Sequence, residues 1–287
     1  MPEVFKMLRF GNMKKILFTL IQKILENPLL ITATVLIFAG TFVVIISLPV
    51  YLSESHDFYI NFVAELNGMV FELLVFSIII VWLNQLGTKS QQIRSYKDEI
   101  DDFRMWESEE SAYRTVGNIK RLNRHKIYNI DLVNCYLSKT NLSYVVLKEA
   151  NLNNVNASNS NLIECNLESA RLNRTNFENS NLNQVNLQGA FASGTNFKDA
   201  YMIKANLNKA FLIKADFKNA FLMEADLSEA NLTGANLDNA NLYKADLRNA
   251  VGLTIEQLAN VRTLYLAQFD TPLLEMLQSK YPDLLGK

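Results

Sequence analysis

Cysteine and histidine are almost absent, two of each in 287 residues, and that scarcity removes most of the chemistry an active site needs. Cys135 and Cys165 show neither metal-ligand spacing nor a disulfide framework, and His56 and His125 stand far apart in the chain. No hydrolase elbow or P-loop occurs. Without converging nucleophile, base and electrophile there is no catalytic constellation, so no enzyme activity, metal or cofactor is expected. Scarce cysteine also fits a reducing compartment.

An excess of one charge is missing too. Lysine and arginine total 28 against 29 aspartate and glutamate, a formal net charge of −1. So balanced a chain projects no strong field, which argues against nucleic acid as a partner and against a strongly acidic mimic. Any electrostatic partner must be read from local patches. The length is large for one compact domain, so at least two units that bury apolar surface differently are expected.

What the sequence does have is, first, two long apolar stretches. No residue from Asn27 to Ser53 is charged, and a bilayer needs roughly 20 apolar residues, so residues 28–52 read as a first transmembrane helix. The run from Leu66 to Leu86, broken by the single charge of Glu72, gives a second span over 67–87. The first run is too long, and starts too late, for a cleaved signal peptide. Lys6, Arg9, Lys14, Lys15 and Lys23 precede the first span, and Lys89, Arg94 and Lys97 follow the second, whereas the loop at 53–66 has no Lys or Arg. Positive charge stays inside, so both termini are expected in the cytoplasm of a bacterial inner membrane. Segment 1–27 interleaves its five cations with Phe5, Leu8, Phe10, Ile16, Phe18, Ile21 and Ile24, as an interfacial amphipathic helix does.

Residues 88–129 form a polar linker. Ile93, Tyr96, Ile100 and Phe103 recur at helical spacing, and Ser108 before Glu109 and Glu110 starts a second stripe of Ala112, Tyr113, Val116 and Ile119. Two helices, or one bent helix, are expected to lead into the second half of the chain. The first stripe is either packing surface or a short seam for self-association, alongside the transmembrane helices. Lys120, Arg121, Arg124 and Lys126, with His125, read as a helix end complementing its dipole or as a contact with anionic headgroups or a nucleic acid.

The second half repeats. From Ile130 to Asn249 the chain divides into twenty-four fives without insertion or deletion, such as ANLNK AFLIK ADFKN AFLME ADLSE. The first position is mostly small and the second mostly Asn or Asp. The third is Leu, Phe or Met except at Ala157 and Ala192. Strand alternation sends the first and third residues inward and the second outward, and the last two turn the corner. No α-helix has a five-residue period, so a helical solenoid is excluded.

These fives resemble the A(D/N)LXX signature of the pentapeptide-repeat family. The resemblance implies a mainly β fold, a right-handed quadrilateral β-helix with four fives per coil, hence about six coils over 130–250 and a rod of roughly 29 Å. Phe177, Phe197 and Phe217, twenty apart, then form one interior column. The tail at 251–287 resembles the helical caps of that family, with Thr254 and Gln257 as a capping box and Leu258, Val261 and Leu264 as a helical stripe. A second helix starts near Pro272, and Pro282 should end the helical tail. Cys135 and Cys165 occupy the small inward position.

Aromatic rings at the outward second position mark a candidate protein-binding surface: Phe191 with Phe211 on one face and Tyr201 with Phe221 on the opposite face, unless ladder stacking alone accounts for them. Lys198, Lys204, Lys209, Lys214 and Lys218 cluster ahead of an acidic coil, as a bipolar contact surface or a solvated exterior. The expected function is a non-enzymatic scaffold, with the bilayer and another protein as partners. Some members of the resembled family mimic DNA and protect gyrase, which is the alternative; a transport role at Glu72 ranks last.

Overall fold

The computed structural model describes residues 28–52 and 57–286. The interfacial segment expected over 1–27, with Lys6, Arg9, Lys14, Lys15 and Lys23, lies outside the described residues. The chain divides into two units, Met1–Gln92 and Ile93–Lys287.

In the first unit the uncharged stretch forms helix α1 (Pro28–Leu52), and the second apolar run lies within helix α2 (Asp57–Asp102). Thr34, Thr41 and Thr88 donate their hydroxyls to Leu30, Phe38 and Asn84 carbonyls at 2.6, 2.9 and 2.8 Å, so these groups need no water. Phe38, Phe42 and Ile45 on α1 and Phe71, Phe76 and Trp82 on α2 are exposed, which is surface that water disfavours. Among the described residues one helix, Asn61–Asp102, is long and apolar enough to cross a membrane; Thr32–Ile45 is a shorter apolar stretch. The stretch placed as a loop at 53–66 is helical from Asp57 onward, and α2 carries the second apolar run and the Ile93, Tyr96 and Ile100 stripe on one continuous helix. Phe103 falls just past the helix end.

In the second unit, helix α3 (Glu109–Arg124) starts where Ser108 accepts the Ser111 N–H at 3.1 Å, with Glu109 and Glu110 in its first turn and Arg121 and Arg124 in its last. It buries Ala112, and packs Val116, Ile119 and Leu122 into the core of the repeats.

Each five then disposes of its backbone in the same way. The second residue pairs in parallel with the residue twenty further on: Asp131 with Asn151, Tyr136 with Asn156, Asn141 with Asn161, Val146 with Asn166, and onward. One coil therefore takes twenty residues and has four walls. The second N–H donates to the coil before (Asn151 to Ile130, 2.9 Å), and the third and fifth donate to the coil after (Leu132 to Asn151, 2.7 Å; Asn134 to Asn153, 3.1 Å). The first closes the preceding turn (Cys135 to Leu132, 3.0 Å). The fourth N–H is the one that regularly lacks a backbone acceptor, and where the second residue is Asn or Asp its side chain supplies one: Asn161 Oδ1 takes the Ile163 N–H at 3.2 Å, and Asp226 takes that of Ser228 at 2.9 Å. Asn or Asp recurs because it satisfies, within its own five, the donor that the ladder leaves over.

The expected three-residue strand shrinks to one bridging residue per five. The reason is the corner, where every fifth residue from Asn134 to Asn249 has φ between +52° and +65°. Asn and Gly hold that conformation at little cost, while the Lys and Glu residues found there are strained by about 1 kcal/mol each, offset by the ladder bonds. Inside, first-position hydroxyls reach the coil before, as Thr195 does to the Leu172 carbonyl at 2.6 Å.

Both ends of the ladder are covered. Asn123 accepts the Val146 N–H at 2.8 Å and donates to its carbonyl at 2.9 Å, acting as a strand in miniature, and the Met105 N–H meets the Asn134 carbonyl at 3.2 Å. At the other end the tail is less helical than expected. The Thr254–Gln257 capping box is present, but α4 (Ile255–Leu258) is one turn, after which Asn241 pairs with Thr263 and Asp246 with Gln268. The offset there is twenty-two, so α4 is accommodated by two extra residues and the fives resume. Val261 and Leu264 are buried wall residues, not a helical stripe. Helices α5 (Thr271–Lys280) and α6 (Pro282–Leu285) follow, and the Leu264 N–H meets the Leu284 carbonyl at 2.7 Å. Pro282 opens α6 instead of ending the tail, since its missing N–H costs nothing in a first turn.

Candidate interaction surfaces

Because Asn or Asp at the second position completes each turn, a ring there needs compensation. Phe191 and Phe211 stack on one wall with centroids 5.0 Å apart and planes 4° apart, and Tyr201 and Phe221 stack on the opposite wall at 4.9 Å and 2°. Phe191, Phe211 and Tyr201 are 44%, 43% and 47% exposed, so stacking leaves nearly half of each ring open. Behind Phe191 and Tyr201 the lost turn bond returns from the coil before. Asn173 Oδ1 takes the Ser193 N–H at 3.1 Å, and Asn183 takes that of Ile203 at 2.9 Å; Asn153 does the same for Asn173, at 2.9 Å, where Arg171 is the outward residue. Sequence reasoning overlooks these asparagines, although each stands at a fourth position twenty residues before the N–H it serves.

The lysines do not form one patch. Lys198 lies 3.9 Å from Glu178, Lys204 3.7 Å from Glu224 and Lys209 3.6 Å from Glu229, each pair spanning one coil. Lys214 and Lys218 are exposed on other fives. Much of the sign change along the rod is thus matched locally, in exposed pairs worth about 0–1 kcal/mol each.

Lys120, Arg121, Arg124 and Lys126 are exposed around the end of α3. Arg121 is anchored there, donating to Asn118 Oδ1 at 2.7 Å with its guanidinium 5.6 Å over the Tyr96 ring. Glu72 is exposed on α2.

Cys135 and Cys165 are buried, and burial pushes their thiols up to about 11 and about 12. A thiol ionises near 8.5 when unfolded. The folded pKa is the raised one, so this contribution to stability is full below about pH 8.5 and is lost as pH rises towards 11 to 12. Iodoacetamide at pH 8 is expected to leave both thiols intact in the native chain and to modify both in urea, read by mass spectrometry. Rapid native modification of Cys165 would contradict its interior placement.

A family model described as pentapeptide repeats matches in eight copies, over residues 130–168, 160–199, 180–219 and 220–251. No curated protein matches. Among solved structures, the chain is similar to HetL, a pentapeptide-repeat protein involved in heterocyst differentiation regulation in the cyanobacterium Nostoc, at 32% identity over 43% of this chain and 56% of HetL, with a TM-score of 0.36. The chain therefore spans little more than half of HetL. A pentapeptide-repeat protein of the Arabidopsis thaliana thylakoid lumen shares 33% identity over 33% of this chain and 68% of its own, with a TM-score of 0.28. Rfr23 from the cyanobacterium Cyanothece shares 25% over 47% and 97%, with a TM-score of 0.29.

Proposed function

The chain belongs, through residues 130–251, to the pentapeptide-repeat family, and on that premise we propose that it is a membrane-anchored scaffold that displays its rod to a protein partner. Proteins of this family adopt a right-handed quadrilateral β-helix and commonly act through other proteins. In this reading residues 130–249 make six coils, and α1 with the 67–87 run of α2 makes a two-span hairpin. Residues 88–129 and 251–287 cap the rod, which lies with both termini in the cytoplasm. Self-association would use the membrane or linker helices.

The observation that carries the reading is the pair of stacked rings on opposite walls, with Phe191, Phe211 and Tyr201 nearly half exposed, in a rod whose outward positions are mostly Asn and Asp. Rings of this kind, rimmed by polar groups, are what protein partners bury. The paired lysines contribute little attraction of their own.

A pull-down with the detergent-solubilised chain tests it. Converting Phe191, Phe211, Tyr201 and Phe221 together to Ser is expected to abolish recovery of specific protein partners while the rod stays folded by circular dichroism. Unchanged recovery would reject these walls as the docking surface.

A further inference from the structure

Helix α3 runs back along the end of α2. Arg114 lies 3.5 Å from Glu99 with its guanidinium 5.4 Å over the Phe103 ring, whereas Arg121, further along α3, sits over Tyr96, and the His125 ring is 6.3 Å from that of Tyr96. Numbers fall along α2 as they rise along α3. The two are therefore antiparallel, and the C-terminal end of α3 returns to Tyr96, close to Ile93, where the second unit begins.

Exposed cations collect at that end: Lys120, Arg121, Arg124 and Lys126 from α3 and its exit, and Arg94 and Lys97 from α2. Lys97 and Lys126 line two neighbouring clefts that share Asn129. Most of the carboxylates nearby already have partners. Asp98 is 3.8 Å from Arg94 and Glu99 is engaged by Arg114, while Asp101 and Asp131, both on the Lys97 cleft, are engaged by Arg104; Glu149 borders the Lys126 cleft. Lys148, which borders the same cleft, is neutralised by Glu168 at 2.9 Å.

The chain itself limits where this end can go. Seven residue steps join Leu86, last of the apolar run, to Ile93, at most about 25 Å of chain even when fully extended. An anchor so near keeps the cations at high local concentration beside a bilayer. We infer that this basic end of the second unit binds anionic lipid headgroups. The inference rests on the membrane anchoring proposed above and gives it a surface partner. Cations near an anionic leaflet are attracted within about 10 Å and add up, and Arg and Lys both serve because phosphate is read as charge.

The test uses the full chain in phosphatidylcholine nanodiscs with and without phosphatidylglycerol, following acetylation of Lys120 and Lys126 by mass spectrometry with Lys204 on the rod as reference. Phosphatidylglycerol is expected to slow both reactions about fivefold, and about 0.5 M salt to restore them. The Arg94→Gln, Arg124→Gln double variant is expected to lose most of the protection. Equal rates in the two nanodiscs, in chain that alkaline carbonate does not extract from membranes, would overturn the inference and leave the anchor standing. Extraction by carbonate would overturn the anchor and the inference together. Protection in neutral nanodiscs by inorganic phosphate or by a DNA duplex would replace the lipid surface with a small-anion or nucleic-acid site.

Discussion

Replacing Phe197 by alanine is expected to destabilise the rod by about 3–5 kcal/mol. The ring is fully buried and stacks on Phe177 at 5.6 Å and on Phe217 at 4.9 Å, with planes within 10°. Truncation removes both stacking contacts, each worth about 0.5–1.5 kcal/mol beyond burial, and opens a cavity in mid-rod. The walls cannot close over it, because the Phe197 N–H is fixed to the Asp216 carbonyl of the next coil at 2.7 Å and neighbouring coils are held by the same ladder. Each coil touches only its neighbours, so the defect is not shared along the rod. Phe211→Ala removes from the outside a ring stacked on Phe191 alone and is expected to cost only about 1 kcal/mol. Urea unfolding of the solubilised chain, followed by circular dichroism, compares the two. Equal losses would mean that the interior column is not the packed core its burial indicates.

Gly252→Ala is expected to cost about 3 kcal/mol, against about 1 kcal/mol for Gly234→Ala. Both glycines have positive φ, +70° and +65°, so the conformational penalty is common to them. The difference lies in space. A Cβ on Gly252 would overlap Thr233 Oγ1 and stand 2.8 Å from Thr233 Cα, so backbone must move, whereas one on Gly234 would meet nothing nearer than Lys214 Cγ at 3.6 Å. Gly252 sits where the regular fives give way to α4, and a shift there disturbs the covering of the last coil. The same urea titration reads both variants, and indistinguishable midpoints would show that the close approach to Thr233 relaxes freely.

The balance of legible and hidden features follows from how far each hydrogen bond reaches. Phe177, Phe197 and Phe217 announce a twenty-residue coil because identical bulky residues recur where one column needs them, and the bridges have that period. Leu258, Val261 and Leu264 misled, since spacing of three fits a helical stripe as well as it fits one helical turn followed by a wall. The fives RTLYL and AQFDT were readable after that turn, but two inserted residues hid their register. Asn153, Asn173 and Asn183 looked like ordinary corner residues because the N–H each one serves lies twenty residues away.

The residues alone determined the five-residue period, which side chains point inward, and the two apolar stretches, because strand alternation and the cost of exposing apolar surface are properties of neighbours in sequence. Only the tertiary structure decided where the fourth N–H of each five finds its acceptor, which rings stack in the open, and that α3 turns its cations back towards the start of the second unit. Those outcomes depend on groups brought together across coils and helices, and no local pattern specifies a partner that distant.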